Sequence, residues 1–254
     1  SQEALSSNFS KLSSGLRITK AADDAAGLAV SESMRADIRS LAVAMRNTND
    51  GISMVQTAES SLSEIGSALS RMRELAVQSS SEVLQANERA YLNTEFVALR
   101  AEITRIADVT EFNGLKLSNG ATTSAAVQVG IRNSSNDRIT VTLQDADATA
   151  LGVNATTINT AATAQAAITT LDTAIDSNNT KRASYGSAQN TLTSALHNLE
   201  SYSENLVAAE SRIRDVDFAS ETASMTRNSI FQQAGVAVLA QANVAPQVAL
   251  QLLQ

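Results

Sequence analysis

The chain has 254 residues, a formal net charge of −7 at pH 7 and a pI near 4.8, so it lacks the clustered Lys and Arg that nucleic-acid phosphates require. The absence of cysteine excludes disulfides, thiol catalysis and Cys-ligated metals. Hydrophobic residues make up 43% of the chain but aromatic residues only 3%, with one Pro, which favours long helices over a compact globule.

The first segment, residues 1–28, is rich in Ser, Ala and Gly and carries a short apolar stripe at Leu5, Phe9, Leu12 and Leu16. A helix this short is marginal in isolation, because most helix stability in proteins comes from tertiary packing. We therefore expect it to pack on the other end of the chain or on neighbouring subunits. Asp23 and Asp24 point apart on a helix, so we interpret them as helix-end partners rather than catalytic carboxylates.

The next segments carry apolar residues at alternating spacings of three and four, which is typical of helices with one apolar stripe. The first stripe comprises Ile38, Leu41, Met45, Ile52, Val55, Ala58, Leu62, Ile65, Leu69, Met72 and Ala76. After a break at residues 79–82, the second comprises Leu92, Phe96, Leu99, Ile103 and Ile106, and the third comprises Leu192, Leu196, Leu199, Leu206, Ile213 and Val216. Three such helices predict a coiled-coil-like rod.

The middle of the chain changes from helical to alternating periodicity. Apolar residues alternate at Val127, Val129 and Ile131, and again, after a polar Asn-Ser-Ser-Asn-Asp turn, at Ile139, Val141 and Leu143. This pattern predicts a small β-hairpin within a β region at 112–152. The Ala- and Thr-rich stretch 160–175 is predicted to be helical again and to lead into the third long helix. The fold class is thus mainly α, with long antiparallel helices and chain ends that meet.

The last segment, residues 228–254, contains no charged side chain. Gln and Asn interrupt its apolar residues and exclude the continuous run of about 20 apolar residues that a membrane span needs. A helix of this composition is built to lie against other protein.

No residue pattern points to catalysis, a metal or a cofactor. His197 is the only histidine, and we interpret it as a partly exposed helix residue rather than a zinc ligand. Asp215 and Asp217 could belong to a calcium site, but no D-x-D-x-D-G loop is present, so a transition between a helix and a linker is favoured. We expect no enzyme activity.

Several local strings closely resemble bacterial flagellin, in that family's order and over nearly the whole chain outside its middle. They are Leu12-Ser-Ser-Gly-Leu-Arg-Ile18, Ala22-Asp-Asp-Ala-Ala-Gly27, Arg46-Asn-Thr-Asn-Asp-Gly-Ile-Ser53, Arg73-Glu-Leu-Ala-Val-Gln78, Phe112-Asn-Gly114, Ser211-Arg-Ile-Arg-Asp215, Phe231-Gln-Gln-Ala-Gly235 and Val238-Leu-Ala-Gln-Ala-Asn243. The resemblance implies a secreted subunit of the extracellular flagellar filament that serves motility. Its implied partners are other flagellin subunits, an export chaperone and the filament cap and junction proteins.

The resemblance also implies a domain organisation. A terminal-helix domain would comprise 1–27 and 215–254, a rod domain would comprise 28–214, and the large outer domains of longer flagellins would be absent. Flagellins ordinarily have a further segment before the position that matches Ser1, so this chain looks trimmed there, and we expect it to polymerise poorly without that segment.

Two sets of functional residues follow from the resemblance. The expected assembly residues are Leu5, Phe9, Leu12, Ile230, Phe231, Val238, Leu239, Leu250 and Leu253. Arg71, Leu75 and Glu95 match a patch through which a vertebrate Toll-like receptor detects some flagellins. The alternative function is a flagellin-like adhesin or glycan-binding protein on the cell surface, which the lack of an aromatic platform for sugar weakens.

Overall fold

Long α-helices dominate the fold, as the apolar stripes predict. The structure is a computed structural model that describes the backbone of residues 2–251 and the side chains of residues 2–242. The helices are α1 Gln2–Ser14, α2 Ala25–Ser79, α3 Ala86–Val109, α4 Ala161–Arg214 and α5 Phe218–Gln251. The strands are β1 Glu111–Phe112, β2 Leu115–Lys116, β3 Ser124–Gln128 and β4 Arg138–Thr142, with a short 3-10 turn at Ser135–Asp137.

The chain divides into two compact units. A terminal unit comprises residues 1–40 and 202–254, and a central unit comprises residues 41–201. The central unit contains α3, all four strands and most of the lengths of α2 and α4.

The core of the central unit is organised around an uninterrupted stripe on α2. Every position at alternating spacings of three and four is buried from Leu41 to Ser79: Leu41, Ala44, Thr48, Gly51, Val55, Ala58, Leu62, Ile65, Leu69, Met72, Ala76 and Ser79. Of the predicted positions, Ile38, Met45 and Ile52 are only partly buried, and Ile52 packs against the core from the edge of the stripe. Thr48 takes a core position at little cost, since its hydroxyl donates to the carbonyl oxygen of Ala44 at 2.8 Å.

The β region consists of two antiparallel hairpins instead of the one that alternation predicts. In the predicted hairpin, β3 pairs with β4 so that Val127 faces Ile139. The second hairpin pairs β1 with β2 through the two-residue turn Asn113-Gly114, whose φ angles of 49° and 79° are both positive. An Asn-Gly pair is a strong local signal for such a turn, and two-residue strands are too short to show alternation.

Two side chains of α4 hold the segment around the hairpins. Tyr185 is 1% exposed, and its hydroxyl accepts from the Gln144 N–H at 2.9 Å and donates to the Leu117 carbonyl oxygen at 3.3 Å. Burial raises the pKa of Tyr185, so the hydroxyl keeps the proton that it donates. Lys181 donates to the Asp145 carbonyl oxygen at 2.5 Å, and burial lowers the pKa of its ammonium group.

We expect Tyr185→Phe to lower the free energy of unfolding by about 1–3 kcal/mol, because it leaves a buried N–H and a buried carbonyl without their shared partner. Urea denaturation followed by circular dichroism measures the change. Tyr202→Phe is the matched control, since Tyr202 is 42% exposed and its substitution should have an effect within about 0.5 kcal/mol. Equal unfolding midpoints for the two variants would show that the Tyr185 hydroxyl does not hold the β region.

Candidate assembly surface

The two ends of the chain meet in the terminal unit, where α1 and α5 pack against each other. Leu16 and Asp215 form an isolated antiparallel β-bridge between the segments that follow α1 and precede α5. Beside it, the Val216 N–H donates to the Gly15 carbonyl oxygen at 3.0 Å, and the Arg17 N–H donates to the Arg214 carbonyl oxygen at 2.6 Å. These backbone bonds join the segment that follows α1 to the segment that precedes α5, so the chain returns to its N-terminal region after α4.

A charged junction adjoins this bridge. The Arg214 side chain is 11% exposed, and its Nη1 donates to Glu32 Oε1 at 2.6 Å. Arg35 donates to the same oxygen at 3.1 Å. The Arg214 hydrogen bond is the largest cause that lowers the pKa of Glu32, so this carboxylate stays charged. Arg17 Nη2 donates to the Ile213 carbonyl oxygen at 2.7 Å and adds a second link to the end of α4.

The paired aspartates organise the connection between α1 and α2. Asp24 caps α2 by accepting the Gly27 N–H at 2.9 Å, and Asp23 Oδ2 accepts from the Thr19 N–H, the Thr19 hydroxyl and the Lys20 N–H, each at 3.0 Å. The Thr19 N–H is the largest cause that lowers the pKa of Asp23. The interpretation as a helix-end partner is confirmed for Asp24, whereas Asp23 holds the backbone of the loop between α1 and α2.

The other polar residues singled out in the sequence also have structural roles. Asp217 caps α5 by accepting from the N–H groups of Ala219 and Ser220 at 2.9 and 3.3 Å. His197 is exposed on α4, where its Nδ1 lies 3.3 Å from Glu200. In the part of the chain with described side chains, no group of three or more His, Asp and Glu could hold a metal ion.

The surface of α1 and α5 exposes large apolar side chains. Phe9, Ile230, Phe231, Val238 and Leu239 are 57–67% exposed, while Leu5 and Leu12 are half-buried. Every residue from 233 to 242 is exposed, and none is charged. The side chains of Leu250 and Leu253 lie outside the described residues.

An open apolar cleft runs beside this surface. Phe9, Leu12, Ser13 and Met225 line a cleft of about 400 Å³. The cleft adjoins the exposed side chain of Phe9, one of the expected assembly residues. None of the described helices is long and apolar enough to cross a membrane.

The receptor-patch residues have unequal positions. Arg71 Nε donates to Glu95 Oε1 at 2.9 Å, and both side chains are about half exposed. Leu75 is 1% exposed and therefore cannot contribute to an exposed patch in this structure. The buried face of α2 also includes Met54, Ser61 and Leu75, which are spaced by sevens or a multiple of seven, and polar contacts link α2 to both α3 and α4.

The sequence matches two models of one protein family. The model of the bacterial flagellin N-terminal helical region matches residues 1–123, and that of the bacterial flagellin C-terminal helical region matches residues 168–253. The chain belongs to the bacterial flagellin family. The N-terminal match covers α1, α2 and α3, and the C-terminal match covers α5 and most of α4.

Individual relatives agree over nearly the whole length. A flagellin of Halalkalibacterium halodurans is 49% identical over 96% of this chain and 90% of its own. The flagellar filament 33 kDa core protein of Treponema phagedenis is 43% identical over 97% of this chain and 91% of its own. The crystal structure of Bacillus cereus flagellin has a TM-score of 0.55 and 35% identity, covering 65% of this chain and 94% of that one.

The charged junction was not found from the sequence. Arg17 and Arg214 both lie in strings that resemble flagellin. The spacing of apolar residues does not show which arginine side chains are buried. The signal that could have revealed it is the position of Arg214 at the last residue of a helix, where a cation also interacts favourably with the helix dipole.

We expect the connection between α1 and α2 to loosen in acid. The pKa values of Asp23 and Glu32 are lowered in the folded chain, so their stabilisation is present above the unfolded values of about 4 and is lost as the pH falls through the folded values. Hydrogen exchange of the Thr19 and Lys20 amides, normalised to intrinsic rates, should accelerate below about pH 4.

The Asp23→Asn variant should exchange faster at neutral pH and show a weaker acid dependence at these two amides. Glu204→Gln, which alters an exposed carboxylate of α4, is the control and should follow the parent. Identical pH profiles for the parent and Asp23→Asn would contradict the role of this carboxylate.

Proposed function

We propose that the chain is a structural subunit that self-assembles into the extracellular bacterial flagellar filament. The observation that carries the proposal is the uncharged helix surface at residues 230–242, whose large apolar side chains are left 57–67% exposed by the described residues. Family membership supports it, as does the name of the Treponema phagedenis relative, a flagellar filament core protein.

Assembly in this proposal is driven by burial. Phe231, Val238 and Leu239 are each at least 60% exposed, and covering a large apolar side chain contributes roughly 1.5–3 kcal/mol. The Gln and Asn side chains between them can satisfy one another or a neighbouring backbone while the apolar groups pack. Subunit addition thus stabilises a helix that packing supports only in part within one chain.

Each of the two expected domains has its own place in the proposed filament. Residues 1–27 and 215–254 would form the inner terminal-helix domain, and residues 28–214 would form the rod around it. The subunit would be secreted and would contact an export chaperone before assembly and the cap and junction proteins at the ends of the filament. The function is structural rather than enzymatic, and nothing in the comparisons favours the adhesin.

A second proposed interaction concerns Arg71 and Glu95. Their ion pair is half-exposed on α2 and α3, so a Toll-like receptor could contact both charged groups directly. Leu75 would support this site from the core rather than touch the receptor.

Phe231→Ser combined with Leu239→Ser should prevent filament formation without changing the helical content of the monomer, because both side chains are exposed there. Burial of two such groups is worth several kcal/mol, so the critical concentration should rise by about a hundredfold or more. Sedimentation and negative-stain electron microscopy measure assembly, in a preparation in which the parent forms filaments.

The matched control for assembly is Val83→Ser, which alters an apolar residue that is 86% exposed in the turn between α2 and α3. It should polymerise like the parent. Normal filaments from the double variant would exclude residues 230–242 from the assembly surface.

For the receptor, we expect Arg71→Ala to reduce the response in a Toll-like receptor reporter assay, because it removes the positive member of the exposed pair. Arg105→Ala removes a comparable exposed ion pair with Glu102 on α3 and should leave the response unchanged. No response to the parent, or equal loss in both variants, would contradict the proposed contact.

A further inference from the structure

A polar residue occupies the core of α4. The buried residues of this helix within the central unit are Ala164, Ala167, Leu171, Ala174, Asn178, Tyr185, Leu192 and Leu199, spaced by three, four or seven. Asn178 thus sits at a coiled-coil core position, and it is only 1% exposed. A single Asn at such a position specifies register in coiled coils at a cost in stability.

The Asn178 amide binds the backbone of α2. Its Nδ2 donates to the carbonyl oxygen of Leu62 at 3.0 Å. Its Oδ1 is buried and has no hydrogen-bond partner among the described residues. An unsatisfied buried oxygen is destabilising, so Asn178 is a poor choice for stability alone.

The carbonyls one turn to either side of Leu62 are already occupied. The Ala58 oxygen accepts the Ser61 hydroxyl at 2.7 Å, and the Gly66 oxygen accepts the Ser70 hydroxyl at 2.9 Å. A helix carbonyl also accepts an N–H from the next turn, and it has two lone pairs. The Leu62 oxygen is therefore the one of these three whose second lone pair is open to α4.

Space for the amide is provided by Gly66. A Cβ atom at this position would lie 3.0 Å from Asn178 Nδ2, which is tighter than ordinary van der Waals contact. Glycine inside a helix costs about 1 kcal/mol relative to Ala. Unlike Gly186, where a Cβ would meet nothing within 4 Å, Gly66 has a close neighbour. That neighbour is the Asn178 amide.

The other polar links between the two helices are weak candidates for setting their alignment. Arg182 with Glu59 and Arg73 with Asp172 form ion pairs whose side chains are all 38–50% exposed. Exposed ion pairs contribute little net stability and tolerate small shifts of their flexible side chains. The Asn178 amide is buried, and the acceptor available to its Nδ2 group is the Leu62 carbonyl oxygen.

We propose that Asn178, the Leu62 carbonyl and Gly66 form a register lock that holds α4 at one axial position along α2. A shift by four residues in either direction would bring the amide to the Ala58 or the Gly66 carbonyl oxygen, each of which already accepts a Ser hydroxyl as well as a helix N–H. The lock excludes alternative alignments of two apolar stripes that could otherwise slide past each other. It is a property of the central unit and does not depend on filament assembly.

The first test is a double-mutant cycle followed by urea denaturation. Gly66→Ala in the parent should raise the unfolding equilibrium constant severalfold, because the new methyl group displaces the amide. In an Asn178→Ala background the same change should lower that constant by about fivefold, since the helix propensity of Ala is then unopposed. Gly186→Ala, where a Cβ meets nothing within 4 Å, is the control and should stabilise both backgrounds equally.

The second test separates register from stability. Asn178→Leu should unfold at an equal or higher urea concentration, yet its amide resonances in α2 and α4 should broaden or double as alternative registers become populated. Thr48→Val also makes a buried core position apolar, but the Thr48 hydroxyl bonds within its own helix, so a single sharp set of resonances should remain. A single sharp set for Asn178→Leu, or Gly66→Ala effects of the same sign in both backgrounds, would overturn the lock.

Discussion

The structure depends on the burial of one continuous helix stripe. From Leu41 to Ser79, the residues of α2 at alternating spacings of three and four are all buried. They are small or apolar, except for Thr48, whose hydroxyl donates to a carbonyl oxygen of the same helix. Covering such a stripe requires partners that extend along its length, and α3 and α4, with 24 and 54 residues, are long enough to do so. The hairpins and the loops around them add their apolar side chains to the same core.

The terminal unit obeys the same constraint with a different outcome. The α1 and α5 helices cover each other in part. Hydrogen bonds of Arg17 and Arg214 hold the segment after α1 against the end of α4, and those of Asp23 hold the loop that leads into α2. Beyond that region, residues 233–242 of α5 are wholly exposed and uncharged. Contact with another protein would bury these apolar side chains and lower the free energy. We propose that this other protein is a neighbouring subunit.

Periodicity predicted most of the fold but few of the residues that specify it. It found the long helices, the break near residue 80 and the hairpin in which Val127 faces Ile139, since each depends on spacing alone. It missed Thr48 and Asn178 because a hydropathy pattern treats a buried polar residue as a gap, whereas hydrogen bonds to carbonyl oxygens make these positions tolerable. The resemblance, not periodicity, placed Leu75 on a surface patch, and the predicted stripe did not include this buried residue. At the chain ends, Phe9, Ile230, Phe231, Val238 and Leu239 are exposed in the structure, and their part in assembly stays a prediction.

The most direct measurement of the central claim is amide hydrogen exchange of residues 230–242 in the monomer and in the filament. If neighbouring subunits provide the missing cover, these amides should exchange near their intrinsic rates in the monomer and become strongly protected in the filament, while the α2 core from Leu41 to Ser79 is protected in both. Equal protection of residues 230–242 in the two states would show that the monomer already covers this surface and would contradict the account.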